Sequence, residues 1–265
     1  DEEQAFLQSV ATQLVLALEQ HQTAEDNQFL SSRLRQSQRV EAVGRLTQTV
    51  ADDFRDVISR LREGLARHCD GLNPNARAAM EDALREGDRL LKFLEFLGQD
   101  RKLRVLDTHP MGIIEPLVAQ FNIRYAPRIR FHLQCAEDVQ PVPLDPEWFE
   151  LVADQLLQNA ADSIAAAGDV HVRLSRVHLD ADSSEFLRRG NFLQLQVADT
   201  GAGMTQDEMS HLFEPFHSTK QHRKNAGLGL FVSMGVTRLH GGTLQARSQR
   251  GHGSVFSCLI PEKRD

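Results

Sequence analysis

Gln155-Leu156-Leu157-Gln158-Asn159-Ala160-Ala161-Asp162 lies on an apolar stretch that reads as one helix from Pro146 to Ala166. Asp199-Thr200-Gly201-Ala202-Gly203-Met204 follows directly on an alternating run, Phe192 to Val197, and the strand it marks ends at Ala198. Further on come Leu212-Phe213-Glu214-Pro215-Phe216-His217-Ser218-Thr219-Lys220 and Asn225-Ala226-Gly227-Leu228-Gly229-Leu230. The last of these opens a helix expected to run from Gly229 to His240. Around these segments, period-two runs at 128–134 and 171–174 read as strands, and two more close the chain near 243–247 and 254–260. Prolines at 110, 116, 127, 141, 143 and 146 punctuate the region after Arg101. Mixed strands and helices in this order predict an α+β unit, an α/β sandwich with its helices on one face of a sheet.

Upstream the texture differs. From Ala5 to His68 there is no proline, and the glycines are Gly44 and Gly64. Val43, Leu46, Val50, Phe54, Val57, Leu61 and Leu65 alternate steps of three and four, the narrow stripe of a coiled-coil or bundle seam. Leu7, Val10, Leu14 and Leu18 repeat that spacing, whereas Glu19 to Asn27 carries no seam. A turn at Cys69–Asn75 leads to a second helix, about Asn75 to Gln99, with Met80, Leu84, Leu91, Leu94 and Leu97 on its buried side. Two antiparallel helices expose too much seam alone, so the hairpin is expected to dimerise into a four-helix bundle. Three domains are expected: 1–37, a signalling helix; 38–100, the dimerisation hairpin; and 101–265, the α/β sandwich.

Composition narrows the partners. The net charge of −7 and a pI near 5.9 argue against a nucleic-acid-binding surface. No apolar run approaches the roughly 18–20 residues of a membrane span, and no signal peptide is visible. Cys69, Cys135 and Cys258 lack metal-ligand spacing and read as free thiols of a reducing cytoplasm.

Each of the four motifs alone is a common turn. Together and in order they resemble the ATP-binding domain of sensor histidine kinases, the GHKL or Bergerat fold shared with gyrase, Hsp90 and MutL. The resemblance extends upstream to Arg39-Val40-Glu41-Ala42-Val43-Gly44-Arg45-Leu46-Thr47 and Val50-Ala51-Asp52-Asp53-Phe54-Arg55-Asp56, which look like the family's phosphoacceptor helix. The first twenty residues resemble the last helix of a GAF-type sensory domain running into a signalling helix. The cofactors implied are ATP and Mg²⁺. Asn159 would hold Mg²⁺ against the triphosphate, a carboxamide oxygen being a suitable hard ligand, with Asp162 on the same motif. Asp199 would accept a hydrogen bond from the adenine amino group, and Gly201 and Gly203 would let backbone approach the base. Phe216 belongs to the phenylalanine box at the edge of the ATP lid, and Lys220 would meet phosphate as a point charge. Gly227, Leu228 and Gly229 would present backbone N–H groups and a helix N-terminus to the phosphates. Gln155 stands where gyrase-like ATPases place the glutamate that activates water, and an amide cannot take that proton.

Departures from the family are equally informative. Asp52 occupies the position of the phosphoacceptor histidine. Val50 and Phe54 lie two residues either side of it on the seam, so position 52 is expected to face solvent. Asp53 matches the acidic neighbour that would take the histidine's proton, and Asp56 the position that orients water for phosphatase activity. A carboxylate at Asp56 would repel an incoming aspartyl phosphate, and Asp52, Asp53 and Asp56 together make an acidic patch. Gln155 and Asn225 replace the usual Asn and Gly, and the lid between Lys220 and Gly227 is short and basic. His68 is a poor substitute acceptor. The sequence therefore reads as a degenerate histidine kinase: cytoplasmic, homodimeric, binding ATP, and acting on a response regulator receiver domain or another histidine kinase. One alternative is a kinase phosphorylating histidine in trans; another is a non-catalytic dimerisation scaffold.

Overall fold

The computed structural model describes residues 54–65, 67, 73–97, 103–180, 189–215, 217 and 227–263. The chain divides into two compact units, Asp1–Asp100 and Arg101–Asp265.

In the first unit, residues 54–65 are helical (α1), and a second helix, α2, spans Pro74–Leu97. Arg55 pairs with Glu95 and Arg62 with Asp88, so the two helices run antiparallel. A Cβ built on Gly87 would stand 2.4 Å from Cδ1 of Ile58, which is why the close approach falls at a glycine. Ile58 thus faces α2, whereas Phe54, Val57 and Leu61 on the predicted seam stay 53%, 51% and 56% exposed. On α2, Leu91 is buried as the seam pattern expects. Met80, expected inside, is half exposed, and Phe93 is buried instead. A single helical stripe cannot assign which side of a hairpin faces its partner helix.

The second unit is built on a five-stranded sheet of order β2-β4-β5-β7-β6. Its strands are β2 (Ile129–Cys135), β4 (Gly168–Leu179), β5 (Gly190–Asp199), β6 (Thr243–Ser248) and β7 (Ser254–Pro261). β2 pairs parallel to β4, and the other pairings are antiparallel. A small antiparallel pair, β1 (Leu106–Thr108) with β3 (Val142–Leu144), stands apart from it. Alternation sets the faces: Val170, Val172 and Leu174 point inward, His171 and Arg173 outward. Three helices cover the inner face: α3 (Met111–Tyr125), α4 (Pro146–Ser163) and α6 (Gly229–Leu239). A short α5 (Gln206–Ser210) starts with a reciprocal capping box between Thr205 and Glu208. The core joins Phe149, Val152, Leu156 and Leu157 of α4 to Leu195, Val197, Phe256 and Val232, all almost completely buried. Each such large side chain contributes about 1.5–3 kcal/mol by leaving water.

The helices α4 and α3 depart from the sequence expectation. α4 ends at Ser163 rather than Ala166, because Ile164 turns extended and its N–H closes on the carbonyl of Ala161. α3 was not anticipated, since Pro110 and Pro116 read as breaks. Pro116 removes one N–H from its interior, but Ile114, Leu117, Val118 and Phe121 bury one face completely enough to hold the helix. Among the described residues no helix is long and apolar enough to cross a membrane.

Candidate nucleotide-binding site

The site is organised by one stripe of α4. Gln155, Asn159 and Ser163 are four residues apart, so their side chains line one face of the helix, one above the other. At the upstream end of the stripe, Gln155 meets the opening of α6. A Cβ on Gly229 would lie 2.1 Å from Oε1 of Gln155, so a larger residue there would displace the Gln155 amide. At the downstream end, the Ser163 hydroxyl reaches Oδ1 of Asp199 at 2.8 Å. Asn159 lies between them.

The register of α4 against α6 is fixed at the far end. Asp145 caps α4, its Oδ1 accepting from the N–H groups of Glu147 (3.1 Å) and Trp148 (3.3 Å), and its Oδ2 from Arg104 N–H (2.7 Å). The Asp145 N–H donates to Nε2 of His240 (2.9 Å), and His240 Nδ1 lies 2.8 Å from the Val236 carbonyl. A backbone N–H can only donate and a carbonyl only accept. The buried ring is therefore neutral, with its proton on Nδ1. It ties the first residue before α4 to the last turn of α6.

Asp199 closes β5 and is 6% exposed. Its Oδ1 also accepts from Gly201 N–H at 2.8 Å. The loop after it is squeezed between two walls. A Cβ on Gly201 would stand 2.0 Å from Ser163 Oγ, and one on Gly203 2.0 Å from the Gln249 carbonyl oxygen. Gly203 has φ +63°, in the left-handed region. Gly253, in the β6–β7 turn, has φ +82° and brings its Cα against the Asp199 carbonyl. Hydrogen bonds from Met204 N–H to Ser248 Oγ (2.8 Å) and from Gly251 N–H to the Ala202 carbonyl (2.7 Å) complete the clamp.

The opposite edge is the turn into α6. Gly227 has φ +69°, Leu228 is the N-cap, and among the described residues no side chain caps the helix. The start of a helix carries the positive end of its dipole and suits an anionic acceptor. Two donors await one: among the described residues, the amide nitrogens Nε2 of Gln155 and Nδ2 of Asn159 are buried with no hydrogen-bond partner. A buried unsatisfied donor costs about 1–3 kcal/mol, which an arriving acceptor recovers.

The structure thus gathers Asn159, Asp199, Gly201, Gly203, Gly227, Leu228 and Gly229 around one face of α4. Asp162 stands at the exposed side of α4, where its Oδ1 accepts from Gln158 Nε2 (2.8 Å); Gln158 in turn bonds the Tyr125 hydroxyl. Phe216, Lys220, Asp52 and Asp53 lie outside the described residues. Sequence reading missed Ser163, Gly253 and His240. Gly251-His252-Gly253 lies between the two closing strands, and nothing local ties it to Asp199.

Residues 144–264 match the family model described as histidine kinase-, DNA gyrase B- and HSP90-like ATPase. That stretch, a little under half of the chain, is similar to the ATP-binding domains which that model describes. Over most of its length the chain is also similar to sensor kinases. The sensor kinase CckA of Brucella abortus is 28% identical over 248 residues, covering 89% of this chain and 26% of that protein. The sensor histidine kinase ZraS of Escherichia coli K12 is 28% identical over 248 residues, covering 88% and 49%. The chain therefore spans about a quarter to a half of these relatives. Among solved structures, full-length ShkA in complex with AMPPNP aligns at TM-score 0.60 and 19% identity, over 83% of this chain and 45% of ShkA. The histidine kinase ThkA in complex with the response regulator TrrA aligns at 0.55 and 19%, over 88% and 66%. At such identities these two speak for the fold.

Proposed function

We propose that this chain is a degenerate histidine kinase that binds ATP without phosphorylating itself, and that regulates a response regulator receiver domain or another histidine kinase through its conformation. One contrast supports the reading: the stripe Gln155–Asn159–Ser163 reaches both the α6 opening and Asp199, while the acceptor position holds Asp52. A carboxylate is a much poorer nucleophile toward ATP than a neutral imidazole. The residues present fit ATP: a buried carboxylate suits an amino donor of the base, and the N-terminus of α6 suits phosphate oxygens. The orphaned amides of Asn159 and Gln155 suit a polar ligand tail. Asn159 would hold Mg²⁺ through its carboxamide oxygen, and the ion would neutralise triphosphate charge there. Asp162 would flank that position from the solvent side, with Phe216 and Lys220 closing the lid. Homodimerisation would cover the exposed seam of α1.

Calorimetric titration of the chain with ATP and Mg²⁺, beside Asp199→Asn, tests the first half. We expect a micromolar Kd, about −8 kcal/mol, lost in the variant. Incubation with γ-labelled ATP tests the second: no label on this chain is expected, and label on Asp52 or any other residue would sink the reading. The intact stripe also supports a second reading, phosphorylation of a histidine on another chain. Mixing with a partner kinase separates the two, because transfer in trans labels the partner.

A further inference from the structure

The position four residues after Asn159 is Ser163, and its contacts converge on one purpose. Its hydroxyl lies 2.8 Å from Asp199 Oδ1 and 2.7 Å from the Ala160 carbonyl. A hydroxyl has one proton, and the carboxylate is the stronger acceptor. The Ser163 carbonyl accepts the N–H of Ala202 at 3.0 Å, and Gly201 leaves its Cβ space to the Ser163 side chain. The last residue of α4 therefore touches the Asp199 carboxylate, the loop after it and, through the helix, the stripe carrying Asn159.

We propose that Ser163 is the positioning residue for base recognition: by holding Oδ1 of Asp199 together with the Gly201 N–H, it fixes the carboxylate plane so that Asp199 favours an adenine over a guanine base. The inference rests on the nucleotide reading above. Two donors from different walls, Ser163 on α4 and Gly201 on the loop, prevent rotation about the Asp199 Cβ–Cγ bond. The carboxylate is an acceptor only, and its remaining lone pairs are aimed in one direction. An adenine amino group offers a donor there; the guanine O6 offers an acceptor and is repelled. Without Ser163 the carboxylate loses one of these two donors on Oδ1, its plane is held less tightly, and it comes within reach of the N1–H and N2–H donors of guanine. The hydroxyl also approaches the carbonyl of buried Ala160, and thermal melts read what losing that contact costs the fold.

The test is calorimetric Kd measurement for Mg-ATP, Mg-GTP and inorganic tripolyphosphate on the full chain, comparing wild type, Ser163→Ala and Asp199→Asn, with thermal melts alongside. Ser163→Ala is expected to bind ATP about tenfold more weakly. Its tripolyphosphate affinity should stay unchanged and its GTP affinity equal or improve, so the ATP/GTP ratio falls by at least tenfold. Equal ATP affinity in wild type and Ser163→Ala overturns the proposal. So does a loss shared equally by ATP, GTP and tripolyphosphate, which would make Ser163 a structural residue alone. A wild type that binds no ATP fails the nucleotide reading itself, a distinct result because it appears before any variant is compared.

Discussion

At the scale of the residue, the glycines are informative because each answers a measurable demand. Gly203 combines φ +63° with a wall 2.0 Å from where its Cβ would be, and that wall is the Gln249 backbone carbonyl, which cannot swing aside. Alanine there costs about 1–2 kcal/mol for the left-handed conformation, and the clash raises the total to about 3 kcal/mol. For a unit of this size about 2–4 °C of Tm is lost per kcal/mol, so Gly203→Ala is expected to melt roughly 6–12 °C lower and to bind ATP at least tenfold more weakly. Gly112, in the first turn of α3 with nothing within 4 Å of its Cβ, is the control. Gly112→Ala should melt no lower than wild type. A second residue carries a pH signature. Burial pushes the Cys258 thiol up from the ordinary 9.0 to about 11, with the Thr237 hydroxyl offsetting slightly. The folded state thus prefers the neutral thiol. The stability this brings is complete below pH 9 and is lost as pH rises from 9 towards 11. Linkage puts the loss between pH 8 and pH 10 at about 1 kcal/mol. Urea unfolding at those two pH values should show this step in wild type and lack it in Cys258→Ala, whatever that variant loses at both.

At the scale of the element, what the sequence disclosed depended on how local the controlling physics is. The four strands of the antiparallel run and helix α4 were legible, because alternation and an apolar stripe are properties of the segment itself. Gly201, Gly203, Gly227 and Gly229 were legible as special positions for the same reason: the backbone conformations and close approaches they permit are tied to short motifs. α3 was hidden by Pro110 and Pro116, since its stability comes from Ile114, Leu117, Val118 and Phe121 docking on the sheet, a tertiary term that overrides propensity. Ser163, Gly253 and His240 were hidden for a related reason. Each acts on a residue distant in sequence, Asp199 for the first two and Asp145 for the third, and one sequence does not say which segments meet. The His240 ring shows what is gained by the meeting. One neutral side chain satisfies a backbone N–H before α4 and a carbonyl of α6, and so sets the register in which Gln155 faces Gly229.

At the scale of the molecule, the question is whether one copy is the functional unit. α1 presents two apolar sides. Ile58 is used within the chain, packed where Gly87 makes room, whereas Phe54, Val57 and Leu61 form a stripe on the seam spacing that the described residues leave more than half exposed. Covering three such side chains offers several kcal/mol at about 25 cal/mol per Å², enough to oppose the cost of association only if the stripe continues upstream. The spacing of Val43, Leu46 and Val50 provides for that in sequence. A second copy laying the same stripe against this one satisfies the twofold symmetry of most homodimers, in which one patch is its own complement. The chain is therefore expected to elute as a dimer at micromolar concentration in light-scattering chromatography. Replacing Val57 and Leu61 together by Glu places two like charges from each copy across the seam and should give a monomer. Because neither residue belongs to the unit holding Asn159 and Asp199, the monomer's affinity for ATP should stay within about twofold of wild type. A wild type that runs as a monomer, or a double variant that still dimerises, would remove the seam from the account and leave the nucleotide unit as the whole of the switch.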